Sequence, residues 1–262
     1  MSRIDRLSAL MARFELSVEP CAQDHANLWI LGTAEDPHSL LLTRNSAPLA
    51  PSQNVLAFAR VTWGGDDNPL LSALPGEVHH ALAKDPEMKA ISALFVAELA
   101  ANRCGVASVL NRLGEVLIVR LMRAQIEAGS IGSSLLAALA DPRLSRAVVA
   151  IHDRPDHAWR LESLADEAGL SPSRFSDLFR QKVGQTPLAY LRRWRLILAK
   201  QDIARGERIQ RVAARYCYGS PEALSRAFTA QFGCAPRSVR SSVQPSVRAA
   251  IKNALPDTGP VP

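Results

Sequence analysis

Two segments in the second half of the chain share one pattern: a short amphipathic helix, a turn, and a second helix that begins at Ser-Pro. The first covers about residues 161–182 and the second about 208–231, with Ser171 and Ser220 in equivalent places 49 residues apart. Each serine can cap the second helix, and the proline after it costs no backbone hydrogen bond there. In the first turn Gly169 can adopt the left-handed conformation that ends a helix sharply. This order predicts two helix-turn-helix units, whose second helices fit a DNA major groove about 12 Å wide.

Between the two units the sequence predicts one straight helix. Pro187 begins it and Gly206 ends it, which gives about 19 residues and, at 1.5 Å per residue, a length of about 28 Å. Successive major-groove faces on one side of B-DNA lie about 34 Å apart, so this helix can hold two reading helices about one DNA turn apart. In the run from Arg192 to Arg195, we expect Trp194 to pack between the units and one arginine to be buried or paired. The alternative is a motif that stacks on nucleic acid.

The charge of the chain is unevenly distributed. Residues 1–155 hold 14 basic and 16 acidic residues, a net charge of −2, whereas residues 156–240 hold 15 basic and 8 acidic residues, a net charge of +7. A basic half joined to a slightly acidic half indicates that the second half meets a polyanion, with an ordinary solvated basic face as the alternative. No stretch approaches the roughly 18 apolar residues of a membrane span, and no secretory signal is apparent. The expected location is cytoplasmic, with nucleoid association when DNA is bound.

The residues from about 157 to 240 resemble the DNA-binding domain of the AraC/XylS family of bacterial transcription regulators. The matching stretches are LADEAGLSPSRFSDLFRQKVGQTPLAYL, RWRLILAKQDI and VAARYCYGSPEALSRAFTAQFGCAPRSVR. The resemblance implies a mainly α chain with a seven-helix tandem helix-turn-helix domain at 151–242. It also implies a sequence-specific transcription factor, not an enzyme, whose two recognition helices contact adjacent major-groove segments.

By position, the resemblance assigns DNA contacts to the second helix of each unit. These residues are Ser171, Ser173, Arg174, Ser176, Asp177 and Arg180 in the first unit, and Ser220, Pro221, Glu222, Ala223, Ser225 and Arg226 in the second. The base-edge candidates are Ser173, Ser176, Asp177, Pro221, Glu222, Ala223 and Arg226, with Arg174 and Arg180 nearer the DNA backbone. Arg226 can hold guanine O6 and N7 bidentately or bind phosphate. Asp177 can accept from cytosine N4, or instead pair with Arg174 or Arg180.

The cysteines and two departures from the family pattern bear on local structure. Cys217 stands where the family often has glycine, so the second turn is expected to be built differently, and Val239 replaces a common aromatic residue. The four cysteines lie far apart without a CxxC pair, which argues against a zinc ribbon and a disulfide framework. We expect Cys21 and Cys104 to be buried, unreactive thiols, with a redox pair as the alternative.

The N-terminal half, residues 1–150, combines a β-rich region at about 14–75 with a helical region at about 81–140. Short apolar runs at 27–31, 39–42 and 55–61 predict strands. Apolar spacings of three and four predict a helix of roughly 23 residues between Gly105 and Gly129. Its broad buried face would comprise Val106, Val109, Leu110, Leu113, Val116, Leu117, Ile118 and Leu121. Shorter helices are predicted over the first dozen residues and over 133–140, and a hinge at 152–156.

The helical stretch NRCGVASVLNRLGEVLIVRLMRAQIEAG more loosely resembles the N-terminal half of one AraC-type subfamily, in which a cupin-like sensor domain precedes the DNA-binding module. The β-rich region is shorter than a complete cupin barrel, so a small, reduced cupin-like fold is expected. His25 and His38 are isolated, and His79 and His80 fall at a predicted helix start. Because no HxH or His/Glu cluster has cupin ligand spacing, we expect no metal, no cofactor and no catalysis.

The resemblance implies double-stranded promoter DNA and RNA polymerase as partners, and a small-molecule effector for the N-terminal half. A homodimer through the helices at 81–128 is a further expectation, and a membrane is not expected as a partner. The segment 243–262 is predicted to be a flexible tail. One alternative is a small-molecule-binding or enzymatic cupin with an appended helical module. The other is an interaction protein that does not bind DNA, which the +7 charge and the paired helix caps disfavour.

Overall fold

The computed structural model describes Leu7, Met11 and residues 13–33, 36–46, 54–64, 68–129 and 134–239. Apart from Leu7 and Met11, the predicted helix over the first dozen residues lies outside the described residues, as does the predicted tail. Strands occupy the first third of the chain and helices dominate the rest, which confirms a mainly α chain with an α+β N-terminal half. None of the described helices is both long and apolar enough to cross a membrane.

In the described part of the N-terminal half, five strands form one antiparallel sheet. They are β1 (Leu16–Glu19), β2 (Leu28–Thr33), β3 (Asp36–Thr43), β4 (Val55–Trp63) and β5 (Glu77–Ala81), in the order β1-β4-β2-β3-β5. In β4 every second residue from Ala57 to Trp63 is buried, because alternation places these side chains on one face. That face joins the main core with the helices, whereas the opposite face buries a smaller cluster around Trp29.

β5 corrects the prediction for His79 and His80. Both residues lie in this strand, where they pair with Leu41 and Leu40 of β3, and not at the start of a helix. The β-rich region therefore extends past residue 75. The strand was missed because its sequence, EVHHA, has only one strongly β-forming residue, and pairing with β3 decides its conformation.

Five α-helices follow among the described residues up to Asp153. They are α1 (Pro69–Ala73), α2 (Pro86–Ala101), α3 (Val106–Glu127), α4 (Leu135–Ala140) and α5 (Leu144–Asp153). α3 matches the predicted long helix with 22 residues. Its Gly114 lies directly against β1, where a Cβ atom would approach the Val18 side chain to 2.5 Å. The amide of Val18 donates to Asn111 Oδ1 at 2.7 Å, so β1 is fixed to α3 by shape and by a hydrogen bond.

The buried face of α3 is narrower than predicted. Leu110, Leu117, Ile118 and Leu121 are buried, but Val109 and Val116 are 38% and 45% exposed. α3 covers the sheet with one side only. The spacing of apolar residues predicts an apolar stripe, but it does not show which part of that stripe another element covers. On the adjacent α2, Leu94 is 52% exposed. The α2/α3 hairpin thus presents large apolar side chains to solvent.

The second half is helical. Its elements are α6 (Leu161–Ala168), α7 (Pro172–Val183), α8 (Pro187–Ala204), α9 (Ile209–Arg215) and α10 (Pro221–Phe232). With α5 and a helical turn at 236–239, seven helical segments follow residue 143 in the described part of the chain. α8 is the predicted single connecting helix, with 18 residues and a length of about 27 Å.

The segment after α5, predicted as a hinge, is held by hydrogen bonds from two later elements. Arg195 of α8 donates from Nε to the Pro155 carbonyl at 2.8 Å and from Nη2 to the His157 carbonyl at 2.6 Å. Cys217 Sγ lies 3.0 Å from the Asp156 carbonyl. One arginine of the 192–195 run is therefore paired, as predicted. Since both α8 and the turn before α10 fix this segment, the expectation of a hinge is not supported.

Candidate DNA-binding surface

The first helix-turn-helix unit is built by α6 and α7. Gly169, at φ +65°, takes the left-handed conformation that ends α6, and the amide of Leu170 donates back to the Ala165 carbonyl at 3.0 Å. The Ser171 hydroxyl then accepts from the amide of Arg174 at 3.4 Å and caps α7. The predicted glycine turn and serine cap are both present. Together the turn and the cap fix the angle at which the chain enters α7.

α7 divides into a buried and an exposed side. Phe175 and Phe179 are fully buried and contact each other edge to face, which anchors the helix in the core. On the opposite side the predicted contact residues Ser171, Ser173, Arg174, Asp177 and Arg180 are exposed, and Ser176 is half-buried. No ion pair within 4.0 Å joins Asp177 to another described residue, so the alternative that it pairs with Arg174 or Arg180 is not supported.

The second unit is built by α9 and α10 around an unusual turn. Cys217 has φ +60°, the left-handed conformation that glycine adopts most easily. Cys217 therefore has the backbone conformation that favours glycine at this place in the family pattern. The chain departs from that pattern in the side chain and not in the backbone. Ser220 then caps α10 by accepting from the amide of Ala223 at 3.2 Å.

α10 presents its predicted residues in the same way. Leu224 and Phe228 are fully buried, whereas Glu222 and Arg226 are exposed and Pro221, Ala223 and Ser225 are half-buried. The Ser220 hydroxyl, the amide of Glu222 itself and the nearby Arg226 hold the pKa of Glu222 below its ordinary value. Ser225 Oγ donates to the Pro221 carbonyl at 2.8 Å. The exposed face of α10 therefore carries one carboxylate and one guanidinium at its N-terminal end.

Sequence reasoning missed the group that ties α8 to the second unit. Asp202 of α8 is almost fully buried and accepts from Arg215 Nη1 at 2.6 Å and from the Tyr216 hydroxyl at 2.8 Å. Burial and the hydrogen bond to Asp202 raise the pKa of Tyr216, and the same carboxylate raises the pKa of Arg215. A single acid within a long helix gives no local signal, although Arg215 and Tyr216 at the end of α9 are two adjacent donors that a buried acceptor can satisfy.

The sequence predicted that Trp194 packs between the two units, but its ring contacts lie on the side of α8 that faces the N-terminal half. Its ring lies 4.7 Å from that of His152 in α5 and 5.8 Å from that of Phe14, between centroids. Trp194 is buried at the centre of α8 and faces the elements that precede the first unit. The connecting helix is therefore anchored on the N-terminal half as well as on its own domain.

The described polar residues of the N-terminal half form pairs. Across the described ranges, no group of three or more His, Cys, Asp or Glu side chains is placed to hold a metal ion. His80 instead lies 3.3 Å from Asp85, and His79 lies 3.5 Å from Glu77. All four cysteines are free, and Cys104 is exposed, which corrects the expectation that it is buried. Burial raises the pKa of the Cys21 thiol.

Comparisons with known proteins agree with this architecture. A helix-turn-helix domain family matches residues 164–242, and a cupin family matches residues 22–127. The HTH-type transcriptional regulator AlkR of Acinetobacter baylyi is 38% identical over 215 residues, which are 80% of this chain and 66% of that protein, just under two thirds of its length. A putative AraC-like transcription regulator of Streptomyces antibioticus is 34% identical over 222 residues, 75% of this chain and 73% of that protein.

One similar solved structure is the DNA-binding domain of AdpA, the global transcriptional factor, in complex with a target DNA. It is 27% identical to this chain, with a TM-score of 0.37, and the match covers 42% of this chain and 97% of that domain. Two helix-turn-helix units that follow a cupin-type domain, together with regulators as relatives, define a DNA-binding transcription regulator. The chain belongs to the AraC family of transcription regulators.

Proposed function

We propose that this regulator reads its operator with the exposed faces of α7 and α10, which enter two successive segments of the major groove while α8 sets their separation. The observation that carries this is the division of both helices into a fully buried apolar side and an exposed polar side. Among the described residues, Arg174, Asp177, Arg180 and Arg226 have no ion-pair partner within 4.0 Å. Charges without partners are available to base edges and phosphates.

We divide the predicted residues into a base-edge set and a DNA-backbone set, as their positions in the family pattern imply. The exposed groups Ser173, Asp177, Glu222 and Arg226, with the half-buried Ser176, Pro221 and Ala223, are the base-edge set. Arg174 and Arg180 face the DNA backbone. The hydroxyls of Ser171 and Ser220 are engaged as caps, so these serines act by fixing helix N-termini, whose amides bind phosphate. Ser225 keeps only acceptor capacity, because its hydroxyl proton is donated to Pro221.

The experiment that tests this is footprinting of the full-length chain on genomic DNA, followed by methylation interference at guanine N7 on the protected site. We expect a site of roughly 20 base pairs with two groups of major-groove contacts about one helical turn, 10–10.5 base pairs, apart. A single group of contacts, or contacts in the minor groove only, would contradict the paired arrangement.

We also propose that RNA polymerase is the partner at the promoter and that an effector acts through the N-terminal half. Transcription in vitro from the footprinted promoter, with purified polymerase and with or without this chain, tests the first part. A change in transcript level is expected. An unchanged level at saturating occupancy of the operator would contradict regulation of that promoter.

We propose a homodimer through the α2/α3 hairpin. The two helices lie antiparallel, with Arg120 of α3 bonded to Asp85 and Glu87 at 3.0 and 2.8 Å near the start of α2. This places the exposed Leu94 at the level of Val109 and Val116 along the hairpin. Large apolar side chains grouped on a surface favour association, since association removes their area from water.

Sedimentation of the full chain tests this homodimer. We expect the wild-type chain to be dimeric at micromolar concentration and the double variant Leu94→Glu, Val116→Glu to be monomeric. Leu188→Glu is the matched control, because Leu188 of α8 is also exposed, at 40%, but lies outside the hairpin. A monomeric wild-type chain, or a double variant that stays dimeric, would contradict this interface.

A further inference from the structure

A cavity of about 270 Å³ opens at one end of the sheet, where β3 and β4 end and α1 covers them. Leu42, Trp63, Leu71, Leu74 and Val78 form its apolar walls, and Asn27, Thr43, Asn45, Ser46 and Thr62 add polar groups to the lining. Ligand pockets run from roughly 300 to 1,000 Å³, so this cavity of about 270 Å³ lies just below that range. It has room for one small molecule and not for a long chain.

The charge of the cavity is positive. Arg44 and Arg60 line it, and the described residues that line it include no Asp or Glu. Both arginines are exposed, which places them towards the opening, whereas Trp63 and Leu74 are buried in the walls. A guanidinium offers parallel N–H donors that match a carboxylate. Apolar walls below a cationic opening suit a molecule with an anionic head and a short apolar body.

Arg44 also touches the helix that covers the cavity. Its Nη2 donates to the Ser72 carbonyl at 3.3 Å and to the Leu74 carbonyl, both at the end of α1. Within the described ranges, Nε and Nη1 of Arg44 have no hydrogen-bond partner, but they lie on different edges of the guanidinium. A carboxylate that binds Arg44 through two parallel hydrogen bonds must therefore also take Nη2 from the α1 carbonyls. An anion bound there draws the guanidinium towards the cavity and changes its hold on α1.

α1 is connected to the first recognition helix through α4. α1 packs against α4, and α4 packs against α7. Residues 135–139 of α4 are all buried, so this helix has little freedom to absorb a displacement. At its start the amide of Ser134 donates to the Lys182 carbonyl in the last turn of α7, at 2.7 Å. A shift of α1 therefore reaches the helix that carries Ser173 and Asp177.

We infer that this cavity is the effector site of the regulator, that it takes a small amphipathic anion, and that Arg44 reports its occupancy to α7 through α1 and α4. The inference rests on the proposed function for the role of α7 in reading DNA. The ligand-binding part stands on the cavity alone, and the two parts are separated by their experiments.

Calorimetric titration of the full-length chain with hexanoate, and with hexanamide as the uncharged analogue, tests the site. Hexanoate is expected to bind at least tenfold more tightly than hexanamide. Arg44→Gln should weaken hexanoate binding at least tenfold, and Leu71→Phe, which fills the cavity without changing charge, should do the same. Arg103→Gln, in the exposed turn between α2 and α3, is the control and should bind as the wild type does. Thermal unfolding of each variant checks that it is folded.

Failure of hexanoate to bind would overturn the site, as would equal binding of the two ligands or full binding by both cavity variants. The route to α7 is tested by operator affinity. Saturating hexanoate should change the operator affinity of the wild-type chain at least threefold. In Arg44→Gln the change should be less than half of the wild-type factor. If hexanoate binds but operator affinity does not change, the route is overturned while the site stands. If the chain binds no operator at all, the proposed function fails and the calorimetric result remains.

Discussion

His152 and Tyr190 share a hydrogen bond of 2.6 Å between Nε2 and the phenol oxygen, and both side chains are buried. The bond joins α5 to α8. The Trp194 ring contacts the His152 ring and also contacts Phe14. One aromatic cluster therefore unites the segment before β1, the helix before the first unit and the helix that links the two units.

Tyr190→Phe is expected to lower the free energy of unfolding by about 1–3 kcal/mol, because it leaves a buried imidazole nitrogen without a partner. Urea unfolding measures this. Tyr218→Phe is the matched control, since the buried Tyr218 hydroxyl has no hydrogen-bond partner in the described part of the chain. Its removal takes away a buried polar group that has no partner, so it should leave the free energy of unfolding unchanged or raise it. Equal losses in the two variants would show that the bond to His152 contributes nothing specific.

The stability of the chain should fall as the pH falls below about 6.5. Burial, with a smaller contribution from Arg13, lowers the pKa of His152 from 6.5 to about 3. Between these values the unfolded chain binds a proton that the folded chain does not, so this residue destabilises the fold by about 1.4 kcal/mol per pH unit. The difference in unfolding free energy between wild type and His152→Gln, measured from pH 7.5 to 5, should vary with that slope. A constant difference would contradict it.

Cys217→Gly is expected to stabilise the fold by about 1 kcal/mol, because a residue with a side chain pays roughly 1–2 kcal/mol in the left-handed conformation and glycine does not. The loss of the contact to the Asp156 carbonyl offsets part of this gain. Cys217→Ala, which keeps the strain and loses only the thiol, should be neutral or slightly destabilising. Thermal unfolding of the wild type and the two variants measures these differences. An alanine variant as stable as the glycine variant would rule out backbone strain as the cause.

Arg226→Ala should weaken binding to the operator by about 1–3 kcal/mol, roughly 5- to 150-fold, and leave most of the affinity for unrelated DNA. The reason is that a bidentate base contact discriminates among sequences, whereas phosphate contacts do not. Competition binding at fixed salt measures both affinities. Arg103→Ala is the control: it removes one positive charge outside α10 and should alter neither affinity. Equal losses for operator and unrelated DNA would show that Arg226 binds only phosphate.

Asp177→Ala should leave the unfolding free energy within about 0.5 kcal/mol of the wild-type value, since Asp177 is exposed and has no ion pair in the described ranges. Its effect should appear in the base preference at one operator position, measured by selection from a randomised site. An unchanged preference would remove Asp177 from the base-reading set.

The second half of the fold could be predicted from the sequence because its signals are local. Ser171 and Ser220 cap helices, prolines follow them and Gly169 ends α6, and each of these acts within one turn of chain. Cys217 shows the limit of such signals, since the left-handed backbone persists there without glycine.

The first half depended on long-range pairing, which sequence periodicity does not contain. β5 exists because residues 39–43 of β3 pair with it, and Val116 is exposed because no described element covers that side of α3. The buried Asp202 and the cavity beside Arg44 were missed for the same reason. Each is assembled from residues that are distant in the chain and individually unremarkable.

The burial of α4 has a practical consequence for dissecting the regulator. A fragment that starts at residue 151 discards α4 and most of α5, so it bares the apolar sides of α7 and α8 that these helices cover. Such a fragment would suffer from aggregation unrelated to DNA binding. Cutting before Ser134 keeps the bond to Lys182 and the whole of α5, which holds His152 beside Tyr190. Hybrids that exchange sensing halves between regulators should be joined there too, with α4 and α5 inherited from the parent that supplies the DNA-binding helices.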